Sequence, residues 1–410
     1  MPDITFGGVP FEEAAKYFRD KVRLPSKKWT DIKEGMHARA FVVAGATKDD
    51  LLKDLQAAIQ SGIDNGTGLA VFRKQFDQIV AKHGWAYNGD RNWRSKVMFQ
   101  TNLTTARAAG RWAQIQDVKK TRPYLRYVAV LDNRTRPDHR RWSGTVLPVD
   151  DPWWDTHYPP NGWNCRCTVQ SLSKRALADF GYEVSASPPR EDMVRRKDPF
   201  GDGYIALDRG IDPGFNYNVG KAHVGLVQEI PDGFAQSVAQ WKPIEGGAYK
   251  VLRPADYGSD APLEPRQAPV KLGEPVSGQA ELVDAIERAI GGPRATLTTP
   301  DGVGIDIDAS ILGEHVDYRR APFVPLLPDL VENPQEIWLI FERNEQTGQV
   351  ALRRRHITVY QTDQQRPMLM VLQAQRGTFE AWTFLLSRTA GYIERNRQGL
   401  RLWPPASSAP

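Results

Sequence analysis

Apolar residues recur along the first third of the chain at helical spacing. Leu51, Leu55, Ile59 and Ile63 mark every fourth position, and Thr47 with Asp50 three residues on has the form of a helix N-terminus. Gly66 and Gly68 interrupt this stripe, Phe72, Phe76, Ile79 and Val80 resume it, and Gly84 supplies a stop. A third helix is predicted from Trp93 to about Val118, with Val97, Leu103, Ala106 and Ile115 inward. Its Arg107 and Arg111, one turn apart, present charge on one face, either to solvent or to a phosphate or partner. After Pro123 the run Tyr127-Val128-Ala129-Val130-Leu131 predicts a buried strand. Turn residues then dominate from Asp132 to Thr168, which reads as a small knot of loops and short strands.

Prolines recur at Pro243, Pro254, Pro262, Pro265, Pro269 and Pro275 with few apolar clusters, the composition of an extended connector over residues 231–275. Beyond it, Leu282, Ile286 and Ile290 predict one helix, Gln279 to Ile290. Strand-like segments follow at Ala295–Thr299, Gly304–Ile307, Glu336–Phe341, Val350–Tyr360, Met368–Leu372 and Trp382–Leu386. Short polar turns such as Asn344 to Gly348 imply antiparallel hairpins. The fold class expected is α+β: a helical N-terminal region with a Cys/His knot over 1–230, the proline-rich linker, and a small antiparallel-sheet α+β domain over 276–402 with a tail at 403–410.

A chain of 410 residues exceeds what one core usually serves, and its 40% hydrophobic content is enough for packed cores. No apolar run approaches the roughly 20 residues of a membrane span, and the start, Met1-Pro2-Asp3-Ile4-Thr5, does not read as a secretory signal. Net charge of +5 and a pI near 9.0 are compatible with nucleic-acid contact. The two cysteines exclude a disulfide scaffold and suit a reducing compartment.

Both cysteines, Cys165 and Cys167, sit in the knot with His139 and His157. Two thiolates and two imidazoles are a zinc ligand set, and a metal would stabilise a segment poor in apolar residues. The alternative is that the cysteines are small buried apolar groups and His139 bonds to Asp132. Arg134, Arg136, Arg140 and Arg141 crowd the same loop, facing packaged DNA or pairing with Asp132, Asp138, Asp150 and Asp151. Trp142, Trp153, Trp154 and Trp163 serve either as subunit anchors or as the knot's own core.

The run from Tyr124 through Pro159-Pro160-Asn161-Gly162-Trp163-Asn164-Cys165-Arg166-Cys167 resembles the signature of the phage Mu F-like minor head proteins. Further blocks are similar to that family: Pro10 to Ala14, Lys21 with Leu24-Pro25, Trp29, His37 with Ala40-Phe41, Val43-Ala44-Gly45, Thr101-Asn102, Gly110-Arg111, Asp150 to Asp155 and Gly210 to Asn218. The resemblance implies a minor capsid or head morphogenesis protein, made in the host cytoplasm and incorporated in the prohead near the portal, with portal and capsid proteins as partners and no membrane.

Past the linker, the element order with Gly313-Glu314-His315, Arg319-Arg320, Leu326-Leu327-Pro328 and Glu332 to Trp338 resembles the phage nucleases of the barnase, EndoU, colicin and RelE-like group. That resemblance implies metal-independent RNA cleavage, by a toxin-like effector delivered into the host cell. Histidine suits the proton transfers because its pKa lies near working pH. His315 is the first candidate and His356 the second, with Arg319, Arg320 and Arg353 to Arg355 for the phosphate and Thr383 or Thr378 to orient its oxygens. Strict alternation puts His356 on one face with Arg354, Thr358 and Tyr360. Against this, an arginine run is also what a solvated edge strand carries. The competing readings are a purely structural virion protein with an inactive second domain, and a protein that binds ejected DNA ends.

Overall fold

The computed structural model describes residues 11–32, 34–190, 192–201, 203–224, 240–243, 249–253, 263–344, 350–361, 367–375, 378–386, 396–397 and 399–404. The chain divides into two compact units, residues 1–224 and 225–410. No helix among the described residues is long and apolar enough to cross a membrane.

In the first unit, α1 (Glu12–Arg19) leads into a parallel pair of short strands, β1 (Val22–Arg23) and β2 (Ala40–Phe41). Three helices follow: α2 (Asp49–Asn65), α3 (Leu69–His83) and α4 (Arg91–Val118). The apolar stripe lands as the spacing requires, with Leu51, Leu55, Ile59, Phe72 and Phe76 buried. Gly84 ends α3 at φ 55°, where a left-handed backbone favours glycine. The start of α2 differs from expectation: the helix begins at Asp49 and its N-cap Lys48 makes no side-chain bond. The carboxylate of Asp90 caps α4 instead, accepting from the amides of Asn92 and Trp93 at 2.8 and 2.9 Å. Trp93, in the first turn of α4, is 58% exposed. Where α4 crosses α1 the backbones nearly touch, and a Cβ on Gly110 would lie 2.6 Å from the amide nitrogen of Ala14.

The knot follows. β3 (Tyr124–Val128) pairs antiparallel with β4 (Val146–Pro148) and with β5 (Thr168–Leu172), while α5 (Pro137–Trp142) and α6 (Trp154–His157) occupy the loops between them. The strand is set three residues earlier than expected. Leu125 and Tyr127 point inward, and Val130 and Leu131 are exposed beyond its end. Helix α7 (Lys174–Phe180), a hairpin of β6 (Met193–Lys197) and β7 (Tyr204–Asp208), and α8 (Val219–Val224) complete the unit. One apolar core runs from α1 through the three long helices into the knot, so the knot has more apolar support than its own composition suggests.

The second unit is built on a ten-stranded sheet. β8 (Gln240–Pro243), β9 (Tyr249–Arg253) and β10 (Arg266–Gln267) come from the stretch expected as a bare connector. β9 and β10 pair with β13 and β14 far downstream, and β8 pairs with the neighbouring β9. After α9 (Gln279–Ile290) come β11 (Arg294–Thr298), β12 (Gly304–Asp308), α10 (Ala309–His315), a 3-10 helix over Tyr318–Leu326 and α11 (Leu327–Glu332). The strands β13 (Glu336–Asn344), β14 (Val350–Gln361), β15 (Pro367–Gln375), β16 (Thr378–Leu386) and β17 (Leu400–Trp403) end it. The order is β11-β12-β16-β15-β14-β13-β9-β8, with β10 against β14 and β17 against β13. Pairing is antiparallel except at β12 with β16 and β10 with β14. The mixed α+β class holds, with three helices and a 3-10 segment traced as elements among the described residues where one helix was expected.

Replacing Gly110 by alanine should destabilise the chain by about 1–3 kcal/mol, because the new methyl meets backbone that cannot step aside. Helix propensity alone favours alanine by about 1 kcal/mol, so a urea midpoint that rises would contradict this account.

Candidate functional site

In the knot, α5 opens on Pro137, whose fixed φ starts a single tight helix that sets His139 inward, 2% exposed. Its Nε2 lies 2.9 Å from the carbonyl oxygen of Gly210. Donation there fixes the tautomer and leaves the Nδ1 lone pair facing both cysteines, at 3.5 Å from Cys167 Sγ and 3.7 Å from Cys165 Sγ. A tetrahedral ion with bonds of about 2.3 Å to sulfur and 2.0 Å to nitrogen would put those atoms about 3.5 Å apart. The three donor atoms all lie within 4.8 Å of one another, and all three residues are buried. Hydrogen bonding from Cys167 pulls the Cys165 thiol well below its ordinary range. This trio is able to hold a metal ion.

His157, expected as the fourth ligand, is not in that group. Its ring stacks on Trp153 at 4.4 Å and meets Trp142 edge-on at 4.9 Å, while Nδ1 pairs with Thr156 Oγ1 at 2.8 Å. Burial pushes its pKa down to about 4, and its buried Nε2 has no hydrogen-bond partner among the described residues. The alternative partner expected for His139, Asp132, is also displaced, because Asp132 is occupied by Arg166 at 2.6 and 2.8 Å. That pairing holds the Asp132 carboxyl far below the usual carboxylate range.

The arginines of the loop are mostly paired. Arg141 bonds Asp138 at 2.7 Å, Arg140 bonds the Asp132 carbonyl at 2.6 Å, and Arg136 reaches Asp212 at 2.8 Å rather than an aspartate of its own loop. Asp212, which also accepts from the Trp163 amide at 3.0 Å, was missed as a tie between the knot and the Gly210 block. The four tryptophans serve the interior: Trp142, Trp153 and Trp154 are buried, and Trp163 packs edge-on against Trp29 and Phe215.

In the second unit, His315 ends α10 and is exposed, with Arg319 and Arg320 in the bend that opens the 3-10 helix. Asp317 organises that bend, accepting from the Arg319 amide at 3.0 Å and from its Nε at 2.9 Å. His356 is elsewhere. It does share a face with Arg354, Thr358 and Tyr360, but that face is inward and all four are essentially inaccessible. Its Nδ1 lies 3.2 Å from the Leu330 carbonyl, and its Nε2 accepts from Arg354 Nε at 3.0 Å. Burial, reinforced by the Arg354 charge, drives its pKa well below normal. The arginine run is therefore neither an edge nor a phosphate cradle: β14 is internal, Arg354 pairs with Asp301, and Arg353 and Arg355 pair with Glu342. Thr383 and Thr378 lie in β16, with side chains outside the described residues.

Against known families, residues 53–170 match the model described as phage Mu protein F like protein. The chain carries a phage Mu F-like domain. Residues 281–404 match phage-Barnase-EndoU-ColicinE5/D-RelE like nuclease2, so a second, nuclease-family domain follows it. Among curated proteins, the chain is 26% identical over 427 residues to the "Putative capsid assembly protein F" of Escherichia phage Mu, covering 95% of this chain and 97% of that one. It is 36% identical over 220 residues to the Mu-like prophage FluMu F protein of Haemophilus influenzae, covering 48% of this chain and about half, 53%, of that relative. No solved structure matches.

His356 should stay neutral at ordinary pH, so its ring NMR shifts should not move between about pH 8 and 5. The unfolded chain takes up that proton near pH 6.5. The contribution to stability is therefore fully present above that value and lost as pH falls below it, which a urea midpoint lower at pH 5 than at pH 7 would register.

Proposed function

We propose that this chain is a head-assembly protein, incorporated in the prohead near the portal beside portal and capsid proteins, whose second domain cleaves RNA after delivery into a host cell. The observation that carries this reading is the pairing, on one chain, of a Mu F-like domain with a nuclease-family domain. An alignment nearly end to end with a phage protein named for capsid assembly supports the first half.

For cleavage, the reading rests on His315, because it is exposed beside Arg319 and Arg320 at a bend a polynucleotide can reach. His315 would move the proton of the attacking 2′-hydroxyl or of the leaving 5′-oxygen, while the guanidinium groups stabilise the crowded phosphate. Full burial removes His356 from the reacting groups and makes it a prop for Arg354. No metal enters this chemistry.

In the first domain we assign a structural zinc ion to His139 Nδ1, Cys165 Sγ and Cys167 Sγ. Bound there, it would tie α5 to the segment before β5 and replace mutual repulsion of the thiolates with bonds.

Full-length protein incubated with total RNA should cleave it, and His315→Ala should slow cleavage by about 100-fold or more. RNA left intact by the unaltered chain would remove the enzyme reading. Protein purified without chelator should carry one zinc per chain by elemental analysis. Cys165→Ser with Cys167→Ser should abolish that content and lower the melting temperature by several degrees; metal-free wild-type protein would defeat the assignment.

A further inference from the structure

Two adjoining chambers in the first unit are absorbed neither by the metal centre nor by the nuclease. The larger, about 510 Å³, is lined by residues from widely separated parts of the chain, among them Lys21, Trp29, His37, Thr101, Trp163 and Phe215. These come from several of the blocks that resemble the Mu F-like family, yet they meet around an empty volume rather than filling it. The smaller, about 360 Å³, is lined by Lys96, Gln100, Thr104, Arg107, Arg134 and Arg166 among others. Thr101, Asn164 and Phe215 line both.

The chemistry of the two halves is complementary. Lys96, Gln100, Thr104 and Arg107 follow one another at spacings of four, four and three, so α4 presents them along one face. Lys96 and Arg107 are exposed and have no ion-pair partner among the described residues, and no carboxylate lines either chamber. Unneutralised cations in a groove attract a polyanion. The larger chamber is walled by aromatic rings, with Trp29 and Trp163 edge-on at 5.3 Å and Trp163 and Phe215 at 5.0 Å. Trp93 lines it while more than half exposed, which places that indole at its opening. Lys21, whose Nζ donates to the His37 carbonyl at 2.9 Å, joins Arg94, Asn102 and Asn164 as polar groups among these rings.

We propose that these chambers seat an unpaired nucleic-acid strand, the cationic groove holding consecutive phosphates and the aromatic chamber receiving a base. An open groove that tracks the backbone beside a stacking platform is how single strands are held without sequence preference. A duplex keeps its bases stacked inside and has none to offer the aromatic chamber.

The test uses the full chain with a fluorescein-labelled oligothymidylate of about 15 nucleotides, a length within the usual footprint of such sites, and with a duplex of equal length. DNA is chosen so that the proposed RNA cleavage, whether present or absent, does not affect the reading. The single strand should bind more tightly than the duplex, with log affinity falling against log salt at a slope of about −2, as for three phosphate contacts. Lys96→Ala with Arg107→Ala should flatten that slope by about 1.4. Trp93→Ala should weaken binding about 10-fold and leave the slope alone. All three positions are exposed, and unchanged circular dichroism would confirm that the variants fold. Equal affinity for duplex, no binding of either oligonucleotide, or variants that bind as the parent does would each overturn the proposal. The last result would place any binding in the second unit.

Discussion

The hydrogen bond from His139 to the carbonyl of Gly210 is the constraint on which the first unit's chemistry depends. An imidazole has two nitrogens, and whichever one is occupied decides what the other can do. By spending Nε2 on a backbone oxygen 71 residues away, the fold leaves Nδ1 as a lone pair between two sulfur atoms. Around it, Trp142 stacks on the ring at 4.8 Å and excludes water, and the salt bridge from Arg136 to Asp212 holds the Gly210 block against the knot. Apart from Trp142, which lies three residues on in the same helix, these contacts join residues far apart in sequence. The Gly210 to Asn218 segment is a clamp on chemistry set more than forty residues earlier.

The two units use burial differently. In the first, aromatic rings fill much of the interior, and in the knot arginine and aspartate neutralise each other near the surface. In the second, charge enters the sheet itself. Arg354 and Arg355 are buried, and so is Glu336, which takes both a bidentate bond from Arg397 and a bond from the Trp338 indole. Ion pairs of this kind lose much of their Coulomb gain to desolvation. Here Glu342 of β13 joins Arg353 and Arg355 of the neighbouring β14.

How far the residues disclosed this depends on whether a signal was local. The stripe of Leu51, Leu55 and Ile59 and the stop at Gly84 were legible, because periodicity and a left-handed cap are properties of a short window. The grouping of His139 with Cys165 and Cys167 was legible from rarity, since only two cysteines exist to be placed. Expecting His157 to join them failed because proximity along a loop says nothing of ring direction, and stacking on Trp153 turned it elsewhere. The arginine run misled for a related reason. Three adjacent cations read as an edge until their partners, Asp301 and Glu342, are known, and Asp301 lies some fifty residues away in sequence. The strand near Tyr249 was hidden because its partner β13 is distant, and the strand near Gln240 because it pairs with that strand inside a proline-rich stretch. His315 and Arg319 were proposed by resemblance, and the structure adds that both are exposed, one at the end of α10 and the other at the start of the 3-10 helix.

The pair of buried Arg354 and partly exposed Asp301 has an evolutionary corollary. Losing Asp301 strands the guanidinium as an uncompensated buried charge, at a cost of about 3–5 kcal/mol, whereas exchanging both for apolar groups is nearly neutral. Neither position is then free to drift by itself. Among descendants of this domain the two should be inherited as a couple, either kept together or surrendered together.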